Sequence, residues 1–278
     1  MEQHAKDNPD SYFWFDLFTN DQNSVAVKEF DDFFKIFMST SEEIGELLLI
    51  LSPWNDPIPL KRAWCLLDVS HVLRNPDIKL NIKLPQLEVE RMAADLIQDK
   101  SSLVQALSDI QAEKAAAMRE EDKAQIFGFI EKSEGGFAAL NQRIKGGLRE
   151  WYVKQFKQLI AESPHNHMLI LACSQVMIEL GFLDDALQYG QQCVCLQISD
   201  RKYHAEALDT LGKVYFKQGN YNNAMEKMVE SFALKKSEFG DSHPDVAACI
   251  SSIGDIYIRK SDYEEALEYH NDSLRIRK

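Results

Sequence analysis

No stretch of this sequence is long and apolar enough to cross a bilayer. The longest unbroken apolar runs, Leu47 to Leu51 and Tyr12 to Phe15, fall far short of the roughly 20 residues a membrane helix needs. Basic runs are equally scarce, none exceeding a pair or triplet. The balance of 44 acidic against 31 basic residues leaves a formal net charge of −13, and such a surface repels phosphate backbones. Neither nucleic acid nor a membrane is therefore an expected partner. The five cysteines are an odd number without ligand spacing, and Cys193 and Cys195 would point roughly 200° apart on a helix. They read as buried, reduced thiols of a cytoplasmic protein. No His-x3-His pair suggests a metal, and no glycine-rich phosphate loop suggests a nucleotide. The opening residues, MEQHAKDNPD, offer no basic or apolar leader segment. His165-Asn166-His167 spells a nuclease-like triplet but lacks the strand context and partner histidine of such a site. What remains is a chain of 278 residues, 45% apolar and 27% charged, with the profile of a globular protein of one large or two ordinary domains.

The first half alternates strand-like and helix-like segments. YFWFDLF (12–18) reads as a strand covered on both faces. Residues 25–38 place Val27, Phe30, Phe33, Phe34 and Phe37 at helical spacing. A strand at 47–51, a turn holding Pro53, Pro57 and Pro59, a helix at 60–74 and an alternating segment at 78–84 follow. Strand, helix, strand, helix, strand predicts a small parallel sheet with flanking helices. From Leu87 onward the pattern is helical, broken near Asp99, Arg119 and Gly135-Gly136, with a last helix over about 137–161.

The second half repeats itself. LDTLGKVYFKQGNYNNA (208–224) aligns with ISSIGDIYIRKSDYEEA (250–266) at a shift of 42, and ILACSQVMIELGFLDDA (170–186) fits at a shift of 38. Three copies at this period predict stacked helical hairpins. Ser174, Gly212 and Gly254 let the two helices of a hairpin approach, as do Ala186, Ala224 and Ala266 from the second helix. Tyr215 and Tyr257 fill the gap between hairpins, and the pairs at 219–220 and 261–262 turn the chain.

This pattern resembles the tetratricopeptide repeat over roughly 165–278, and DSHPDVA (241–247) resembles its kinesin light chain-like branch, with Pro244 suited to a first helical turn. The resemblance implies a curved array whose concave face, lined by the first helix of each hairpin, grips an extended or helical peptide. Carried over position by position, the peptide groove comprises Glu206, Asp209, Lys213 and Phe216 in the middle repeat. Its third-repeat members are Ala248, Ser251, Asp255 and Ile258; in the first repeat they are Met168, Leu171, Gln175 and Ile178. Where the light chain pattern carries paired asparagines, this chain has Asp209-Thr210 and Ser251-Ser252, and an aspartate cannot donate a hydrogen bond to a peptide backbone. Residues 86–160 show no sustained heptads, so a motor subunit is not expected.

FWFDLF, LLLILS and Trp64-Cys65-Leu66-Leu67-Asp68 together resemble part of a Toll/interleukin-1 receptor-like (TIR-like) domain, over about 12–85. In NAD-cleaving members a glutamate stands where this chain has Asp68, whose carboxylate sits about one methylene further back. The eleven residues before Tyr12 are too few for the family's opening strand and crossover. The prolines stiffen the end of the strand where such folds place ligands, with Trp54 expected over the opening, and Lys61 and Arg62 as solvated cations.

These readings give a fold class of α/β plus all-α: a partial TIR/flavodoxin-like sheet domain (1–85), a helical extension (86–163) and an α-solenoid of three hairpins (164–278), expected to continue beyond Lys278. The expected function is a cytoplasmic adaptor that binds a protein or peptide, without a metal or cofactor, the N-terminal module serving assembly. The enzyme alternative is NAD cleavage through Asp68. A third reading is self-association through the edges of the sheet.

Overall fold

The computed structural model of the protein describes residues 30–196 and 200–277. Among them are twelve α-helices and one two-stranded sheet. The strand expected at 12–18 lies outside the described residues. Helix α1 (Phe30–Ile44) leads into β1 (Glu46–Ile50), and β2 (Lys79–Lys83) pairs with it in parallel, Leu47 opposite Leu80 and Leu49 opposite Ile82. A parallel pair needs a crossover. The crossover here is a turn with a cis Ser52–Pro53 bond, a 3-10 segment (Ile58–Lys61) and α2 (Ala63–Val72). The main-chain N–H of Ala63 donates to the Ala116 carbonyl at 2.8 Å, so the 112–117 stretch straps the start of α2.

The helical extension breaks where the sequence indicated. Asp99 ends α3 (Gln86–Gln98), which is followed by α4 (Ser101–Ser108). Arg119 caps α5 (Glu120–Lys132), and Gly135, in the left-handed region, opens α6 (Gly136–Glu162). Helix α6 carries Ile144 and Leu148 against the sheet, leaving a cavity of about 20 Å³ beside Leu49, Leu80 and Ile82. That is little more than one water needs. The Trp151 indole N–H donates to the Ile82 carbonyl at 2.9 Å and ties α6 to β2.

Three hairpins follow: α7 (His167–Leu180) with α8 (Leu183–Cys195), α9 (Arg201–Lys217) with α10 (Tyr221–Phe239), and α11 (Pro244–Lys260) with α12 (Tyr263–Arg277). Pro244 occupies the first turn of α11, where its missing donor costs nothing. Asn166, of the nuclease-like triplet, is a helix cap whose side chain accepts from the Leu169 N–H. All three leading helices end in the same doubly hydrogen-bonded turn. Gly181, Gly219 and Ser261 donate to Ile178, Phe216 and Ile258; Phe182, Asn220 and Asp262 donate to Met177, Tyr215 and Tyr257. Ser261 holds φ +69° without being glycine. Ser261→Gly is expected to raise stability by about 0.5–1 kcal/mol, measured by chemical denaturation, because it removes the left-handed strain of a Cβ.

Close approach within each hairpin has named causes. A Cβ on Gly212 would stand 2.9 Å from the Met228 side chain, and one on Gly254 would stand 2.9 Å from the His270 ring. Ala186, Ala224 and Ala266 are buried opposite. A further periodic contact joins them: Ser231 and Ser273 each donate at 2.8 Å to the carbonyls of Ala205 and Ala247. Cys193 stands at the same place in the first hairpin, its thiol 3.6 Å from the His167 carbonyl. The cysteines are not all buried as expected: Cys195 is exposed and Cys65 half-buried, because α8 turns only one side of its CVC segment inward.

One continuous buried cluster runs from Leu49 of β1 through α3, α6 and the first hairpin to Val214 of α9. A second, smaller one joins Ala224 and Met228 to Ile253 and Ile256 of the third hairpin.

Candidate peptide-binding groove

On α9 the spacing of Glu206, Asp209, Lys213 and Phe216 keeps all four on one side of the helix, and Ser251, Asp255 and Ile258 repeat that side on α11. Lys213, Asp255 and Ile258 are exposed, whereas Gln175, Glu206, Phe216 and Ser251 are half-buried. Asp255 Oδ1 lies 3.5 Å from His270 Nε2, and Ser251 Oγ lies 3.5 Å from His270 Nδ1, so one imidazole from α12 steadies two of these positions. The Arg259 guanidinium of α11 stands 5.8 Å from the centre of the Phe216 ring of α9, bridging consecutive leading helices. Gln175 donates from Nε2 to Thr210 Oγ1 at 2.9 Å, linking α7 to α9, while its own Oε1 is buried without a hydrogen-bond partner.

Asp209 sits differently. It is 7% exposed, with Lys213 Nζ at 2.7 Å and Lys235 Nζ of α10 at 3.6 Å. The Cys249 thiol of α11 lies 3.7 Å from its Oδ1 and 3.4 Å from Lys235 Nζ. Burial works against the Asp209 carboxylate, but the two ammonium groups outweigh it and hold its pKa below the usual value. Burial also works against the Lys235 charge; Asp209 outweighs that and raises its pKa, with Asp245 adding a smaller pull. Burial pushes the Cys249 thiol up. Asp209 thus ties three helices together from within. Lys235 and Cys249 had no part in the sequence reading, and the signal for them was available: the pairing of a buried lysine position on a second helix with an acid on a first.

The first hairpin's side of the groove is covered by the chain itself. Leu171 and Ile178 are buried in the same cluster as Met92, Leu96 and Leu103 of α3 and α4. What stays open is a cleft of about 150 Å³ lined by Ile97, Lys100, Met168, Leu171, Lys202, Tyr203 and Glu206. It marks where the helical extension meets the first two leading helices.

The N-terminal candidates lie elsewhere. Asp68 is half-buried on α2 and lines neither of these two spaces. Trp54 does not cap an opening at the surface: it is 1% exposed. Its main-chain N–H donates to Glu88 Oε2 at 2.8 Å, its indole to Asp95 Oδ2 at 2.9 Å, and its carbonyl accepts from the Tyr152 hydroxyl at 2.8 Å. Lys61 is exposed and paired with Asp56 at 2.5 Å.

The hairpin ends, the buried alanines and the periodic serine contacts point to one repeat. Residues 203–278 match the tetratricopeptide repeat family. The second and third hairpins fall within that tetratricopeptide match, and the first extends the same geometry upstream. No curated protein matches the chain. Among solved structures, the crystal structure of MamA shares 17% identity at a TM-score of 0.40, covering 70% of this chain and 96% of its own. BtubC (BKLC) from P. vanneervenii shares 14% identity at a TM-score of 0.42, covering 90% of this chain and 92% of its own. At such identities and TM-scores neither likeness bears on function. No helix among the described residues is long and apolar enough to cross a membrane.

Proposed function

We propose that this chain is a protein-interaction adaptor whose tetratricopeptide hairpins hold a peptide or protein segment along α9 and α11. The observation that carries this reading is the match of 203–278 to the tetratricopeptide repeat, together with the exposure of Lys213, Asp255 and Ile258 on leading helices. Because α3 and α4 cover the first hairpin, the groove begins at the cleft beside Glu206 and Tyr203 and runs toward Ile258. Its polar contacts are Glu206, Lys213, Ser251 and Asp255; Phe216 and Ile258 supply apolar surface. Asp209 contributes from beneath, by fixing Lys213 at 2.7 Å, and Gln175 sets the spacing between α7 and α9.

The kinesin light chain-like branch is part of the same reading, supported by His243 and Pro244 opening α11. A TIR-like origin for the N-terminal module is supported by the parallel β1–α2–β2 order, with Trp64 to Asp68 on α2. The module serves as the platform for α3, α4 and α6, on which the first hairpin rests. A cytoplasmic setting accords with the free cysteines.

The test is a displayed-peptide selection on the intact chain, followed by titration of the selected peptide. Replacing Lys213 and Asp255 together with alanine is expected to weaken binding about tenfold or more, equivalent to about 1.4 kcal/mol, with helicity unchanged. Undiminished binding by the double variant would remove the groove as the site.

A further inference from the structure

The outer flank of the last hairpin carries an apolar stripe. Tyr263, Leu267 and Leu274 of α12 are 66%, 63% and 56% exposed, and their spacing of four and seven residues keeps them within about 40° of arc. The internal period says what such a stripe meets. Forty-two residues earlier the same positions are Tyr221, Met225 and Phe232 of α10. All three are partly buried in the cluster formed with Ile253 and Ile256 of the next hairpin. On α10 this flank is the seam between hairpins; on α12 the same flank faces outward.

We infer that a second copy of this chain covers it, the two α12 helices packing antiparallel about a two-fold axis perpendicular to them. The charges flanking the stripe favour this occupant. Helix α12 has acids in its first turn, Glu264 and Glu265, and bases in its last, Arg275 and Arg277. Glu264, Glu268 and Arg275 border the stripe on one and the same side, at about 100–140° around the helix on a scale where Tyr263 is zero. A two-fold axis across the helices keeps that side matched to itself while reversing direction. With Leu267 of one copy over Leu274 of the other, Arg275 falls between Glu264 and Glu268 of the second copy, and the reciprocal contact forms by symmetry. A parallel arrangement would instead oppose this border to the other side of the stripe and lose the match. Arg275 is held within its own helix only by an exposed contact with Asp272 at 3.1 Å, which is weak enough to exchange.

The interface is small, one helix per copy, and the net charge of −13 opposes association. A weak dimer follows, with a Kd on the order of 10 µM. The surface lies on the second helix of the third hairpin, away from the groove on α9 and α11, so the dimer and peptide binding stand or fall separately.

Sedimentation equilibrium of the whole chain between about 1 and 200 µM tests this, the range bracketing the Kd expected for so small a contact. The expected result is a monomer–dimer equilibrium that Leu267→Glu abolishes while the melting temperature stays unchanged. A charge exchange makes the orientation specific. Glu264→Lys with Glu268→Lys in one chain, and Arg275→Glu in another, should each weaken self-association. Mixing the two variants should restore a mixed dimer, since both contacts are then again opposite in sign. A chain that stays monomeric throughout the range overturns the proposal and leaves a further repeat hairpin as the occupant. A dimer that survives Leu267→Glu also overturns it and places the contact elsewhere, the edge of the sheet included.

Discussion

Asp209→Ala is expected to cost about 3–5 kcal/mol, because it leaves the Lys235 ammonium buried with its principal counter-charge gone. Asp209 is the point at which α9, α10 and α11 share charge, through Lys213, Lys235 and the Cys249 thiol. In a stacked array each hairpin leans only on its neighbours, and the third hairpin's cluster is the smaller of the two. The damage should therefore be local. Hydrogen exchange is expected to accelerate in α10, α11 and α12 while α6 and α7 keep their protection, and guanidinium denaturation should gain an early phase. Replacing both partners, Asp209→Leu with Lys235→Leu, should recover most of the loss, since the large penalty belongs to the unpaired charge and not to the missing pair. A single variant as stable as the parent would show that Lys235 reaches solvent.

The same cluster sets a pH window. The Asp209 carboxyl is held below its ordinary value of 3.8, so its contribution is complete above 3.8 and disappears as pH falls through the lower folded value. Lys235 is held above 10.5, so its contribution is complete below 10.5 and disappears as pH rises through the higher folded value. Cys249 is raised above 9.0, and the folded state keeps its proton where the unfolded chain releases it. Alkaline loss therefore begins near 9.0. Thermal melts across pH 3–10 should show a plateau between those limits, and the doubly apolar variant should fall less steeply at both ends.

Trp54→Ala is expected to cost a similar 3–5 kcal/mol and to lower the melting temperature by roughly 10 °C. Its indole is buried between the Pro-rich turn, α3 and α6, and the residue makes hydrogen bonds through its main-chain N–H, its carbonyl and its ring. Removing the ring leaves a cavity and strips Asp95 of its donor. Trp54→Phe separates the two effects: it should cost about 1–2 kcal/mol, mostly the lost bond to Asp95. Burial also pushes the Tyr152 phenol above its ordinary pKa, so that ring stays protonated and donates to the Trp54 carbonyl throughout the plateau. If Trp54→Ala melted like the parent, the turn would have to be anchored by its prolines alone.

The hairpins were readable because each device in them is local. Glycine at the end of α7 and α9, proline at the start of α11 and alanine on the second helices act within a few residues of themselves, and a shift of 42 repeats them. Even the serine contacts lay within the alignment, at Ser231 and Ser273, had it been carried past Ala224 and Ala266. The groove was less readable. Helical spacing put Asp209 on the same side as Lys213 and Phe216, but spacing along one helix says nothing about what the next two helices bring. Lys235 and Cys249, far along the chain, draw that carboxylate inside.

The Pro-rich turn shows the same division more sharply. Sequence alone determined that β1 stops there, that a parallel strand must follow a crossover and that the turn is stiff, since proline fixes its own backbone. Whether the turn framed an open site or a closed joint was decided only in three dimensions, when α6 laid Tyr152 against Trp54. Backbone preference is encoded residue by residue, but burial and charge pairing depend on groups that the chain brings together only by folding.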